Sequence, residues 1–124
     1  MWEVATMAVF DDWFAGQDED AQAEIIAKVN LLKLLGPQLG RPHADTLKGS
    51  RHANLKELRA DTSDKVLRIA FDPTRTAILL VAGNKAGVKQ KQFYRQLIAQ
   101  ADALYDAHLA RLKKRRKEER NHHG

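Results

Sequence analysis

Residues 54–83 read NLKELRADTSDKVLRIAFDPTRTAILLVAG. Three strand-length runs, 54–60, 65–72 and 76–83, alternate with two clusters of turn-forming residues, Asp61–Asp64 and Asp72–Pro73–Thr74. Connections this short reverse the chain, so the stretch predicts a three-stranded antiparallel meander. Successive side chains along a strand point to opposite faces. Leu58 and Lys56 therefore share one face and Glu57 and Arg59 the other, while Arg68 points away from the face of Leu67, Ile69 and Phe71. A charge at mid-strand is costly to bury unpaired, so these charges either line an open sheet face or pair across strands, Glu57 with Arg59 or Arg68.

Outward from the meander, Trp2–Phe10 predicts a first strand, ended by Asp11 and Asp12. Phe10, Trp13 and Phe14 have helical spacing, and Gly16 stops that short turn. Asp18, Glu19 and Asp20 suit the N-terminus of a second helix, where acidic groups meet the positive end of the dipole. Its apolar face is Ile25, Ile26, Val29, Leu32 and Leu35, and Gly36–Pro37 end it. Residues 36–50 read as a loop. From Gln90 onward the pattern is helical, with Phe93, Leu97, Ala101, Leu104 and His108 on one stripe, running into Lys113–Lys117. The order β, α, α, β, β, β, α predicts an α+β fold. A small antiparallel sheet, made of the N-terminal strand plus the three-strand meander, carries helices on one face and leaves the other open for function. Residues 1–112 are expected to form one domain, and 113–124 a basic helix end and tail.

Hydrophobic residues make up 44% of the 124 and charged residues 30%, values of a folded chain rather than a disordered one. Twenty-one Lys and Arg against 16 Asp and Glu give a net charge of +5, which points to a polyanionic partner. There is no cysteine, so disulfides and thiolate metal sites are excluded. The histidines lack metal-ligand spacing, and no metal or cofactor is expected. The N-terminus lacks the early positive charge of a secretory signal, and apolar runs such as 77–83 are too short to span a bilayer. A cytoplasmic protein with no membrane partner is the expectation.

The basic groups gather around the meander. Arg59 and Arg68 offer the planar fork that binds phosphate in a bidentate way and stabilises a phosphorane. Lys48 and His52 precede the second strand of the fold, and Lys85, Lys89, Lys91, Tyr94 and Arg95 follow the last. Such a groove fits a phosphate backbone, with Tyr94 available to stack on a base. His52 alone among them has an ordinary pKa near neutrality, which makes it a candidate general base or acid. His43 and His108 read as structural, and His122 and His123 as part of a polar tail.

Several stretches resemble one family of small proteins. They are GPQLGRP at 36–42, DTLKGS at 45–50, NLKELR at 54–59, RIAFDP at 68–73, ILLVAGNK at 78–85 and Phe93–Tyr94. In this order and spacing they resemble the HigB-like branch of the RelE/ParE superfamily, over residues 1 to about 112. The resemblance implies a microbial RNase-like fold and the toxin of a type II toxin–antitoxin system. It further implies an mRNA interferase, a metal-independent endoribonuclease associated with the ribosome. The implied partners are a helix-turn-helix antitoxin, mRNA and the ribosome. Carried over residue by residue, the family's groups are Lys48, Arg59, Arg68 and Lys85; with His52 added from its ordinary pKa, the expected catalytic set is Arg59, Arg68, Lys85, His52 and Lys48. Lys89, Lys91, Tyr94 and Arg95 then bind substrate. Ribosome-dependent relatives place catalytic groups in a short C-terminal tail. Here a long helix follows the last strand, and that role falls to Lys91 or Tyr94. Two alternatives stay open on the sequence: a ParE-like inhibitor of DNA gyrase, and a nucleic-acid-binding protein without catalysis.

Overall fold

The computed structural model describes residues 1–74 and 76–123, the side chains of the last two excepted. His122 and His123, read above as tail imidazoles, thus lie outside the described side chains. The elements are β1 (Glu3–Thr6), α1 (Ala8–Ala15), α2 (Glu19–Leu35), a 3-10 turn (Gly36–Gln38), β2 (Ala44–Thr46), β3 (Lys56–Asp61), β4 (Val66–Asp72), β5 (Thr76–Asn84) and α3 (Gln90–His123). The strands form one sheet in the order β1-β5-β4-β3-β2. β2 to β5 pair antiparallel, and β1 lies parallel to β5 at the edge.

The α+β class and the meander agree with the sequence reading. The first strand is shorter than expected and stops at Thr6. Met7 takes an extended N-cap conformation, and the helical spacing of Phe10, Trp13 and Phe14 begins at once in α1, which buries Phe10. The stretch expected to be loop holds β2, a three-residue edge strand too short to show a period. Asp18 caps α2, its Oδ1 accepting from the Ala21 N–H at 2.9 Å. At the far end Gly36 has φ +57°, and a Cβ there would lie 2.3 Å from the Trp2 indole. The ring closes directly over the helix end, which only glycine permits.

The placement of the helices corrects the sequence reading, which puts them all on one face. α1 and α2 cover one face, where Phe10, Ile25 and Leu32 meet Leu58, Leu67, Ile69, Phe71 and Leu79. α3 covers the other, where Phe93, Leu97, Ala101 and Tyr105 meet Leu55, Ala70, Leu80 and Val81. The cause is legible in β5. Its continuous apolar run AILLVA supplies both faces, as strands buried on two sides do. A register shift beside Ala70/Phe71 pairs Ala70 with Val81 and Phe71 with Leu79. That leaves Leu80 between them and turns both Leu80 and Val81 toward α3. Among the described residues, no helix is long and apolar enough to cross a membrane.

Candidate functional site: a basic cleft between β2–β3 and α3

α3 packs against β5 and β4 and stops short of the sheet edge. Over β2 and β3 the second face therefore stays open, and a cleft of roughly 680 Å³ forms there. Its floor is Asp45, Thr46, Glu57 and Arg59, with Arg41 and Lys48 at the outer rim. Its wall is Gln90, Lys91, Tyr94, Arg95 and Ile98. Helical spacing divides the labour on α3. Phe93, Leu97 and Ala101 face the core, while Gln90, Tyr94 and Ile98, one turn apart each, face the cleft.

Strand parity places the floor. Glu57 and Arg59 lie on the α3 side of β3, and Arg59 is paired in register with Arg68 of β4. Asp45 and Glu57 stand directly opposite on β2 and β3, a repulsive cross-strand pair on its own. Arg59 resolves it. Its Nε and Nη2 donate to Glu57 Oε1 at 3.2 and 3.1 Å, and Nη2 also reaches Asp45 Oδ2 at 3.4 Å. Arg41 grips Asp45 Oδ2 from outside, with Nη2 at 2.8 Å and Nε at 2.9 Å. The Arg41 bond, then the Thr46 backbone N–H, hold the Asp45 carboxyl below the usual carboxylate range. Glu57 is 3% exposed, whereas the Arg59 side chain keeps 29%. Arg59 is thus oriented by buried carboxylate and still open to a ligand.

Arg68 sits deeper, 7% exposed, and donates to Asp61 Oδ1 at 2.6 Å and to the Leu67 carbonyl at 2.8 Å. Sequence parity expects it on an open face. The face is right, but Tyr94 of α3 covers the position. The Tyr94 phenol is pushed up to about 12, by burial first and by the neighbouring Glu57 carboxylate next. Lys85 lies over the same ring, its Nζ 5.4 Å from the centroid. Burial first, then the Arg68 guanidinium, push its ammonium below the usual lysine range.

Of the residues proposed from sequence, Lys48, Arg59, Lys91, Tyr94 and Arg95 meet in the cleft, and Arg68 and Lys85 stand behind Tyr94. Lys89 does not line it; its carbonyl accepts from the Phe93 N–H at the start of α3. His52 does not line it either. Its Nε2 pairs with Asp106 Oδ1 at 2.7 Å, and its ring meets Tyr105 edge-on at 4.8 Å. The loop carrying it is drawn to mid-α3, where Ser50 Oγ donates to Asp102 Oδ1 at 2.5 Å and the Arg51 N–H to Asp102 Oδ2 at 3.1 Å. Sequence reasoning missed Arg41, Asp45, Gln90 and Ile98. The last two were within reach, since they share the i, i+4 stripe of Tyr94.

Residues 12–106 match the family described as phage-derived protein Gp49-like (DUF891). The chain is 43% identical over 112 residues to a Mycobacterium tuberculosis (strain ATCC 25618 / H37Rv) protein named as a candidate toxin, HigB2, covering 85% of this chain and 55% of that one. It is 44% identical over 99 residues to a second protein of the same strain, named as a candidate toxin, HigB3, covering 79% of this chain and 85% of that one. The chain thus spans about half the length of the HigB2 protein. No solved structure matches it.

Proposed function

We propose, from the premise that the chain belongs to the Gp49-like family and is of the HigB type, that it is the toxin of a type II toxin–antitoxin pair and an mRNA-cleaving endoribonuclease. In this reading it sits within the RelE/ParE superfamily, acts in the cytoplasm on mRNA at the ribosome, and is neutralised by a helix-turn-helix antitoxin. Residues 1–112 are the toxin domain and 113–124 an extension of it. The observation that carries the reading is the Arg59 guanidinium, aimed into a cleft that holds five Arg and Lys against two carboxylates.

Without a metal, RNA is cut by its own 2′-hydroxyl. The O2′–P bond forms, the P–O5′ bond breaks, and a 2′,3′-cyclic phosphate and a 5′-hydroxyl result. The barrier is lowered by positive charge placed where the phosphorane develops, an effect of about 3–4 kcal/mol for one well-aimed donor. Arg59 is the group for that role, because Glu57 and Asp45 fix its orientation before substrate arrives. Arg41, Lys48, Lys91 and Arg95 hold flanking phosphates. Arg68 and Tyr94 support the floor. The 2′-hydroxyl proton leaves to solvent and the departing 5′-oxygen takes one from it, while Lys85, behind Tyr94, adds positive charge beside the site. His52 is left out of the chemistry.

Expression in cells should arrest growth, and coexpression with the protein encoded beside it should relieve the arrest. On translating ribosomes the purified protein should cut message while leaving gyrase supercoiling untouched. Intact message with inhibited supercoiling would overturn the reading.

A further inference from the structure

The described chain divides sharply by charge. Residues 1–110 carry 14 Lys and Arg against 14 Asp and Glu, so that part is neutral, and residues 111–124 hold the whole net charge of +5. This charge is not spread over the fold. Tyr105 is the last buried residue of α3, and residues 113–121 are exposed without exception. α3 nevertheless continues as helix to His123. At about 1.5 Å per residue, the part beyond Tyr105 extends on the order of 27 Å past its last core contact.

A helix end rich in lysine is ordinarily a solvated terminus whose cations suit the dipole. Two features set this one apart. First, the charge is sided. At 100° per residue, Lys113, Arg116, Lys117 and Arg120 fall on one face about 100° wide with no carboxylate among them, while on the opposite side Arg111, Lys114 and Arg115 are largely offset by Glu118 and Glu119. The four cations line a shallow groove together with Leu109 and Leu112 at its inner end. Second, the cations on that face are three and four residues apart, Lys113 with Arg116 and Lys117, Arg116 with Arg120. Like charges at this spacing repel and disfavour the helix. Neither carboxylate of the arm pairs with a cation among the described residues. A polyanion laid along this face would relieve the repulsion.

We propose that the projecting half of α3 is a second RNA-binding element, separate from the cleft, which grips the phosphate backbone of structured RNA through Lys113, Arg116, Lys117 and Arg120. It contacts phosphate and reads no sequence, and the neutral body leaves it the dominant long-range attraction of the molecule. The proposal deepens the ribonuclease reading, because such an arm would hold the enzyme on folded RNA while the cleft takes single-stranded message. The arm's binding does not require the cleft to cleave.

The test is the binding of a fluorescent RNA hairpin to the full chain, by anisotropy, across a salt series. Replacing all four residues with Gln (K113Q, R116Q, K117Q, R120Q) should weaken binding at least tenfold at low salt. It should flatten the slope of log K against log salt by about three, near 0.7–0.9 per lost phosphate contact. A control on the other face (R111Q, K114Q, R115Q) should change the slope by less than half as much. Circular dichroism checks that both retain helix, and a chain ending at Leu112, just before the exposed stretch 113–121, repeats the measurement if the first variant does not. Cleavage of a short unstructured RNA should be the same for all variants. Unchanged hairpin binding and slope would overturn the proposal. So would equal losses for the two faces, or a loss confined to an acidic protein partner with RNA binding intact. Loss of cleavage by the parent chain with hairpin binding retained would count against the ribonuclease reading alone.

Discussion

Replacing Arg59 with Ala should destabilise the protein as well as disable the cleft. Arg59 donates to the Glu57 carboxylate through both Nε and Nη2. Glu57 is 3% exposed, and its Oε2 has no protein partner among the described residues. The variant therefore strands a carboxylate at the cleft floor. Breaking a buried pair from one side costs about 3–5 kcal/mol. Arg59 itself keeps 29% of its exposure, and the Tyr94 phenol stands close enough to Glu57 to take up part of the charge. The partial exposure brings the cost to or below the bottom of that range, about 2–3 kcal/mol, or a drop on the order of 10 °C in Tm for a chain this size. Glu57→Gln removes the buried charge, so the double variant Glu57→Gln, Arg59→Ala should recover much of the loss. Urea unfolding of the parent, the two single variants and the double variant closes the cycle, with a coupling energy of roughly 1–3 kcal/mol. An Arg59→Ala protein within about 0.5 kcal/mol of the parent, the usual range for an uninvolved surface site, would mean that the guanidinium does not hold the floor together. It would also show that Glu57 is neither charged nor dependent on Arg59.

His52→Ala should leave RNA cleavage within a few-fold of the parent, since His52 is paired with Asp106 outside the cleft; a total loss would return the imidazole to the chemistry. Tyr94 and Tyr105, the protein's two tyrosines, are both held above 10, Tyr94 to about 12. Phenolate absorbance should therefore appear in the folded protein at higher pH than in urea. Between pH 10 and 12 the folded state keeps a proton at Tyr94 that the unfolded state has lost, so stability should fall as pH rises through that window, and Tyr94→Phe should flatten the fall. Gly36→Ala should cost at least about 2 kcal/mol, from a disfavoured φ and a Cβ driven into Trp2; unchanged urea unfolding would mean the indole moves freely.

Local chemistry made part of this legible in advance. The turns at Asp61–Asp64 and Asp72–Thr74 and the alternation in β3 and β4 were enough to give the meander and the face on which Arg59 and Arg68 stand. The second layer was harder. AILLVA is apolar on both sides, and a strict alternation argument has no place for that until the run is read as a strand covered twice. β2 has three residues and an Asp at its centre, so neither period nor propensity marks it, and Arg41 and Asp45 were lost with it. His52 was misplaced for a different reason. Its position is set by Asp102 and Asp106, some fifty residues away, and such a long-range pair leaves no trace in local pattern. Lys91, Tyr94 and Arg95 were found because they open a helix whose core stripe was already fixed.

The most direct test of the central claim is the product of the reaction. The parent chain and the double variant Glu57→Gln, Arg59→Gln, which removes the guanidinium without stranding a charge, are incubated with end-labelled message on translating ribosomes. The parent should leave fragments ending in 2′,3′-cyclic phosphate. The variant, folded by circular dichroism, should do so about 100- to 1000-fold more slowly, the loss expected of one transition-state donor. A folded parent that leaves message intact, or a variant that cuts as fast as the parent, would contradict it.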